Sequence, residues 1–228
     1  MMKHLEAKMC DNDSKHLAVH SLASTPLNFP EPSKFVDKEY AQQTRNIIQA
    51  NGVCDNDGKT ALNTKGLQHT LCTDSVGAKK FYNRLPEKDK FKVGNDRYVR
   101  IPALKRELDE RIEKPYDAKK IEQMKENERC LTALRDNVVS MTMRALNESK
   151  NRSEQRYLKQ RKLERDNITE CQHTGEPLES GAHAHHKERR ADDPDLALNL
   201  DNIEIVNPIA HQEHHQEHHQ KEKDIEYD

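Results

Sequence analysis

The sequence contains few of the residues from which a single large hydrophobic core is built. Hydrophobic residues make up 33% of the 228 residues and aromatic residues 4%, with no tryptophan, whereas charged residues make up 34%. The mean hydropathy is -1.11. A chain of this length suits one or two domains, and this composition favours small modules joined by polar helices over one extensive core.

Long apolar runs and paired cysteines are also missing. No apolar segment approaches the roughly 20 residues of a membrane span, and the N-terminus has no signal-like apolar core. The five cysteines, at positions 10, 54, 72, 130 and 171, show no paired spacing, which is typical of a reducing compartment. A formal net charge of -2 excludes a globally basic nucleic-acid binder. We therefore expect a cytoplasmic protein without membrane contact, in which any attraction to DNA comes from local patches.

The C-terminal end carries the clearest helix signal of the chain. Asn207 is a favoured N-cap residue, and Pro208 suits the first helical position. The sequence therefore predicts a helix that begins at Pro208. On that helix His211 and His215 lie one turn apart on the same face, where two imidazoles can converge on one ion.

Two short strands are expected upstream of this helix. Ile203 and Ile205 alternate with Glu204 and Val206, and the segment 182–185 alternates alanine with histidine after turn signals at 174–175 and 180–181. The expected order is therefore strand, strand, helix.

These residues resemble the HNH, or ββα-metal, family of nucleases, and most closely the colicin and pyocin type of DNase. The resemblance covers about residues 168–219. The residues that carry it are His185, His186, Asp201-Asn202-Ile203, Pro208, His211 and His215.

The resemblance implies a role for each position. His186 is similar to the general base that takes a proton from water, and His185, His211 and His215 are similar to the metal ligands. Asn202 is similar to the residue that braces the loop and orients the base. One divalent ion (Mg²⁺, Mn²⁺, Ni²⁺ or Zn²⁺) would stabilise the charge that phosphodiester hydrolysis builds on oxygen. An imidazole whose pKa is near neutrality suits the base.

The sequence departs from many HNH proteins, which hold a structural zinc with two Cys-x-x-Cys knuckles. Only Cys171 remains of the first knuckle, with Thr174 at the second position, and Asn207 and Ala210 occupy the other pair. We therefore expect no Cys₄ zinc and interpret Cys171 as a small buried apolar residue.

The histidine-rich tract 211–220 has a plainer interpretation, because such a tract taken alone is typical of a solvated or loosely metal-binding tail. The separate pair 185–186 and the Asn-Pro cap favour the nuclease instead. His214, His218 and His219 exceed the motif, and we expect them to face solvent.

The first hundred residues are expected to contain an arm and a module. Residues 1–34 are polar and are interpreted as a mobile arm. Residues 35–102 show three helix patterns (36–50, 64–71 and about 73–85), followed by a hairpin signature around 94–96. This order is that of a winged helix, and a structural or protein-binding helical module is the alternative. In a winged helix, the recognition helix would carry Lys79, Lys80, Asn83 and Arg84, and the wing Arg97 and Arg100.

Residues 103–167 are expected to form a long helical connector. Its apolar seam, 131–145, would pack on the 35–102 module or on a second copy of the chain, which would give a homodimer. Its C-terminal part is basic and leads into the nuclease motif of 168–228. The residues expected to contact DNA phosphates are Lys159, Arg161, Lys162, Arg165, Lys187, Arg189 and Arg190.

The sequence thus predicts a mainly α, overall α+β protein that ends in a small HNH module. The expected function is a metal-dependent endonuclease acting on double-stranded DNA, as in phage or mobile-element proteins. The alternative is a non-catalytic DNA-binding or protein-binding regulator that keeps a degenerate HNH fold.

Overall fold

The chain folds into two compact units. The computed structural model describes residues 18–214 and residue 216. Unit 1 is Met1–Ala145 and unit 2 is Leu146–Asp228. Each unit contains helices and antiparallel strands, so the fold is α+β. Among the described residues no helix is both long enough and apolar enough to cross a membrane.

Unit 1 is built on a five-stranded antiparallel sheet in the order β1-β2-β3-β5-β4. Its strands are β1 Val19–Ser21, β2 Gly52–Asp55, β3 Thr60–Asn63, β4 Lys90–Val93 and β5 Asp96–Arg100. Its helices are α1 Lys38–Asn51, α2 Leu67–Thr70, α3 Ser75–Arg84, α4 Ile101–Ile112 and α5 Ala118–Arg135. A sixth helix, α6 Val138–Gln155, begins in unit 1 and continues into unit 2. The core of unit 1 includes Ile48, Leu62, Leu104 and Leu131, each fully buried.

The helix and hairpin patterns of residues 35–102 are confirmed. Helix α1 starts where the Asp37 carboxylate accepts hydrogen bonds from the first-turn N–H groups. Helix α3 is capped by Asp74, whose carboxylate accepts a hydrogen bond from the Gly77 N–H at 2.7 Å. Strands β4 and β5 form the expected hairpin, with Gly94 in a left-handed conformation (φ 58°) at its turn.

The expected boundaries differ from the observed ones because tertiary contacts join segments that looked separate. Within the expected arm 1–34, residues 1–17 lie outside the described residues. Residues 18–34 pack on unit 1, since Leu22 is 1% exposed and the Gln49 amide donates to its carbonyl at 2.7 Å. Residues 103–135 of the expected connector supply α4 and α5, which pack against each other and line the core.

The expected apolar seam 131–145 is interrupted. Leu131 and Leu134 are fully buried in the unit 1 core, whereas Val138 is 69% exposed and Met141 53%. The break is at Asn137, whose amide donates to the Leu134 carbonyl at 2.6 Å and accepts from the Ser140 N–H at 3.0 Å. One side chain thus ends α5 and starts α6. The expected homodimer would have to form without the two leucines, because the first half of the seam packs inside unit 1.

Unit 2 contains a two-stranded antiparallel sheet between helices. Its elements are α7 Leu158–Asp166, β6 His183–His186, β7 Ile203–Val206 and a helix α8, described over 208–214. The expected strand, strand, helix order is confirmed. Ile203 and Ile205 of β7 are fully buried with Leu158 of α7, and this packing fixes the sheet on the helix.

Candidate metal and nuclease site

Strand β6 and helix α8 bring two of the three expected metal ligands together. His185 is 7% exposed, and its ring centroid lies 5.3 Å from that of His211, with the rings nearly perpendicular. Two imidazoles on one tetrahedral ion, with metal–nitrogen bonds of about 2.0–2.1 Å, place their centroids about 5 Å apart. The spacing of this pair therefore fits a shared divalent ion.

The third expected ligand cannot be placed. His215 lies outside the described residues. Among the residues that are described, no group of three or more His, Cys, Asp or Glu side chains is arranged to hold a metal ion. The described part of the chain thus provides a pair of candidate ligands, and the ion itself belongs to the proposal below.

Three further histidines lie at this pair, and one of them, His183, stacks on His211 with ring centroids 5.0 Å apart. His214 was expected to face solvent, but it is half-buried and its ring lies 4.4 Å from that of His185. His173 contacts the rings of both, at 5.2 Å from His214 and 5.9 Å from His185, and its Nε2 lies 2.9 Å from a Glu204 carboxylate oxygen. Sequence reasoning missed this contribution, because only the fold brings residue 173 next to β6.

His186 lies at the end of β6 and is held by the loop that follows. Its Nε2 is 3.0 Å from the Ala197 carbonyl oxygen. A carbonyl oxygen can only accept a hydrogen bond, so Nε2 carries the proton in that bond. In the neutral ring, Nδ1 is then the atom with a lone pair that can accept a proton. This tautomer is the one that a general base acting through Nδ1 requires.

Asn202 ties the two ends of the same loop together. Its amide oxygen accepts from the Glu188 N–H at 2.8 Å, and its amide nitrogen donates to the Glu188 carbonyl at 3.0 Å and to the Leu196 carbonyl at 3.3 Å. The side chain is 6% exposed. Because Leu196 directly precedes Ala197, Asn202 also fixes the carbonyl that holds His186.

At the positions where many HNH proteins have zinc-binding cysteines, hydrogen bonds and packing connect the chain segments instead. Cys171 is 1% exposed and packs against Val206 and Ala210. Burial raises the pKa of its thiol, but hydrogen bonds from the Thr174 side chain and from backbone N–H groups, including that of Asn207, lower it to about 7. Cys171 is thus buried among apolar side chains as expected, and its thiol also takes part in hydrogen bonds.

The Asn207 side chain does not cap α8. Its oxygen accepts from the Glu179 N–H at 3.0 Å and its amide nitrogen donates to the Pro177 carbonyl at 3.1 Å. Helix α8 nevertheless begins at Pro208 as expected, and Asn207 connects its start to the loop after Cys171.

The seven expected phosphate-contacting residues separate into two groups. In the first group, Lys162 is 5% exposed and pairs with Asp166 at 2.5 Å, while Arg165 pairs with Asp166 and with Asp201 at 2.8 Å. Arg161 pairs with Glu154 at 2.5 Å and Lys159 donates to the Ser180 carbonyl at 3.3 Å. These four cations already have partners within unit 2, which weakens their expected role.

The second group lies beside the histidines. Lys187, Arg189 and Arg190 are exposed and follow His186 directly in the chain. Arg189 pairs with Asp192 at 2.7 Å, an exposed contact that solvent screens strongly. The two arginines line a cleft of about 490 Å³ together with His185, His186 and His211.

The opposite lining of this cleft comes from α6, which sequence reasoning interpreted only as a connector. Glu148, Asn151 and Gln155 all line it, and their spacing places them on one helical face. The Gln155 Nε2 atom is buried and has no hydrogen-bond partner among the described residues. Since a buried donor without a partner costs about 1–3 kcal/mol, water or a bound group in the cleft is expected to accept a hydrogen bond from it.

Comparisons with protein-family models, with curated proteins and with solved structures each returned no match to this chain.

Proposed function

We propose that unit 2 is a metal-dependent endonuclease of the HNH type that hydrolyses phosphodiester bonds in double-stranded DNA. The observation that carries this proposal is the hydrogen bond that His186 makes with the Ala197 carbonyl. The Ala197 carbonyl fixes its Nε2 proton, Nδ1 is left to accept one, and the ring lines the same cleft as His185 and His211.

The proposed ion would be held by His185, His211 and His215. It would supply positive charge for the phosphate oxygens and for the departing alkoxide. The spacing of the His185 and His211 rings fits this use, and imidazole nitrogens are ligands that suit Zn²⁺ and Ni²⁺.

The protein's own groups would do the remaining work. His186 would take a proton from the attacking water at Nδ1, with Asn202 and Ala197 holding its ring in place. Arg189 and Arg190 would hold the phosphate backbone in the cleft, where guanidinium groups can contact phosphate oxygens in pairs. These contacts do not read bases, so they place the duplex without selecting a sequence.

The second candidate is a regulator that keeps this fold without catalysis. It is favoured by one observation: four of the seven cations expected to contact DNA phosphates, Lys159, Arg161, Lys162 and Arg165, already have partners within unit 2. Plasmid nicking with added Mg²⁺, Mn²⁺, Ni²⁺ or Zn²⁺ separates the two candidates, because a regulator cuts with none of these ions.

The assignment of roles is tested by comparing two histidine variants. We expect His186→Ala to abolish cleavage and to leave metal affinity, measured by calorimetry, nearly intact. We expect His211→Ala to weaken both. His20→Ala is the matched control, because His20 is an exposed histidine of unit 1 that bonds to Asn56. Unchanged cleavage in the His186 variant would remove this residue from the role of base.

A further inference from the structure

Unit 1 contains two consecutive helices that are joined by a short turn and followed by a hairpin. A short helix, α2, is joined to α3 by the four residues 71–74, and Cys72 in this turn has a left-handed backbone (φ 47°). A connection of three or four residues is typical of the helix-turn-helix. The hairpin β4–β5 comes next in the chain and adds to the sheet through the pairing of β5 with β3. The second helix and the hairpin of such a unit are the parts that can contact a duplex.

Helix α3 has one buried and one exposed face. Ala78, Phe81 and Tyr82 are buried in unit 1. The opposite face exposes Val76 (57%), Lys79, Lys80 and Asn83. A helix of ten residues is about 15 Å long and about 10–12 Å wide, which fits the roughly 12 Å width of the major groove of B-DNA.

The charge of this surface departs from that of the chain as a whole. The chain has 38 basic and 40 acidic residues, yet α3 and β4 contain lysines and an arginine and no acidic residue. The one acid of β5, Asp96, is paired with Lys65 at 3.1 Å. Among the described residues, Lys79, Lys80 and Lys92 have no carboxylate within ion-pair distance.

The hairpin places another cation against the same helix. The Arg97 guanidinium lies 5.8 Å from the centre of the Tyr82 ring of α3. Since Lys79 is one turn from Tyr82, the cations of α3 and of the hairpin lie on neighbouring parts of one surface. Two residues expected to join them do not: Arg84 pairs with Glu107, and Arg100 pairs with the buried Asp55 at 2.7 Å.

The exposed residues of α3 also have the chemistry for reading base edges. An asparagine can pair with the N6 and N7 atoms of adenine, a lysine can donate to guanine, and an apolar side chain can contact the methyl group of thymine. Asn83 and Val76 supply the first and the last of these groups on one helical face, and Lys79 and Lys80 are left for the backbone phosphates.

We propose that α3 enters the major groove of double-stranded DNA and that the β4–β5 hairpin contacts the adjoining backbone, giving the protein a DNA-reading surface separate from the cleft of unit 2. The occupant is B-form DNA and not double-stranded RNA, because the major groove of an RNA helix is too deep and narrow for side chains to read.

The salt dependence of binding tests the proposal. The full chain carrying His186→Ala, which prevents cleavage, is titrated with a fluorescent mixed-sequence duplex at several salt concentrations. Adding Lys79→Ala and Lys80→Ala removes two phosphate contacts and should lower the salt slope by about 2. The matched control, Lys119→Ala with Lys120→Ala, makes the same charge change at the start of α5 and should leave the slope unchanged. Equal slopes in the two double variants would overturn the proposal.

Selection from a pool of randomised duplexes tests base reading. The unaltered surface should enrich a preferred sequence, and Asn83→Ala should lose preference at one position. Enrichment of no sequence would overturn the groove-reading part of the proposal. Tight binding to double-stranded RNA or to an acidic protein, with none to DNA, would overturn all of it. Thermal melting of each variant verifies that unit 1 is folded.

These outcomes are independent of the nuclease proposal. A chain that binds DNA through α3 but cuts with no metal ion would contradict only the function of unit 2. A chain that cuts DNA but binds it equally with and without Lys79 and Lys80 would contradict only the reading surface.

Discussion

The bracing role of Asn202 leads to a prediction that can be worked out in magnitude. Asn202→Ala removes three side-chain hydrogen bonds between this buried residue and the loop positions 188 and 196. At about 1 kcal/mol each, their loss loosens the loop by roughly 3 kcal/mol. Since 1.36 kcal/mol corresponds to a factor of ten in rate, we expect cleavage to fall about 100-fold if the correct placement of His186 depends on this loop.

The assay is single-turnover cleavage of a plasmid, combined with hydrogen exchange at the Glu188 amide, which is bonded to the Asn202 oxygen at 2.8 Å. We expect slower cleavage and faster exchange together, with metal affinity unchanged. Asn202→Asp should cleave no faster than Asn202→Ala. The aspartate keeps an acceptor for the Glu188 N–H, but its second oxygen cannot donate to the carbonyl oxygens of Glu188 and Leu196.

The matched control is Asn199→Ala in the same loop. Asn199 is exposed, and its side chain accepts one hydrogen bond, from the Asp201 N–H at 2.9 Å. We expect this variant to lose less than tenfold in cleavage, in line with the roughly 1 kcal/mol of one bond. If Asn202→Ala cleaves at the wild-type rate while the Glu188 amide exchanges faster, the loop does not position His186. If the cleavage rate and the exchange rate both stay at their wild-type values, Asn202 does not brace the loop.

Two further predictions concern buried polar groups. Gln155→Leu should lower cleavage about tenfold or more, because a hydrogen bond to a charged group contributes about 1.5–3 kcal/mol. Urea denaturation should show no loss of stability, since the removed donor has no partner among the described residues. An unchanged cleavage rate would show that Gln155 does not touch the substrate. Asp55→Ala should lower the free energy of unfolding by about 3–5 kcal/mol, because it leaves the Arg100 charge buried without its partner. Asp55→Ala combined with Arg100→Met should recover part of that loss in the same denaturation measurement, and an equal or larger loss in the double variant would contradict this explanation.

Local patterns in the sequence were sufficient for several elements. The Asn-Pro signal placed the start of α8, alternation placed β7, and the glycine near position 94 placed the β4–β5 turn, because each depends on the backbone preferences of adjacent residues. The same patterns could not show that the expected helical connector, residues 103–167, is broken at Asn137. That break depends on Asn137 bonding both to the end of one helix and to the start of the next.

Features of the site that depend on distant residues were not predictable. Arg165 looked like one of several exposed cations, but the fold also brings Asp201 within 2.8 Å of it. His214 exceeded the motif in the sequence, but in the structure its ring lies 4.4 Å from that of His185 on β6. The role of α6 as a wall of the cleft has no signal in the sequence, since Gln155 is an ordinary polar residue of a polar helix.

The sequence by itself determined the chemistry that is available: imidazoles at helical spacing, an asparagine before a short strand, and cations next to them, all within one segment. The tertiary structure alone decided which of these groups lie together, because the tautomer of His186 is set by a carbonyl eleven residues away and Arg165 pairs with Asp201, which belongs to a different part of the chain. Short-range backbone preferences act between neighbours in the chain, whereas burial and hydrogen bonding across the fold depend on packing that no local pattern encodes.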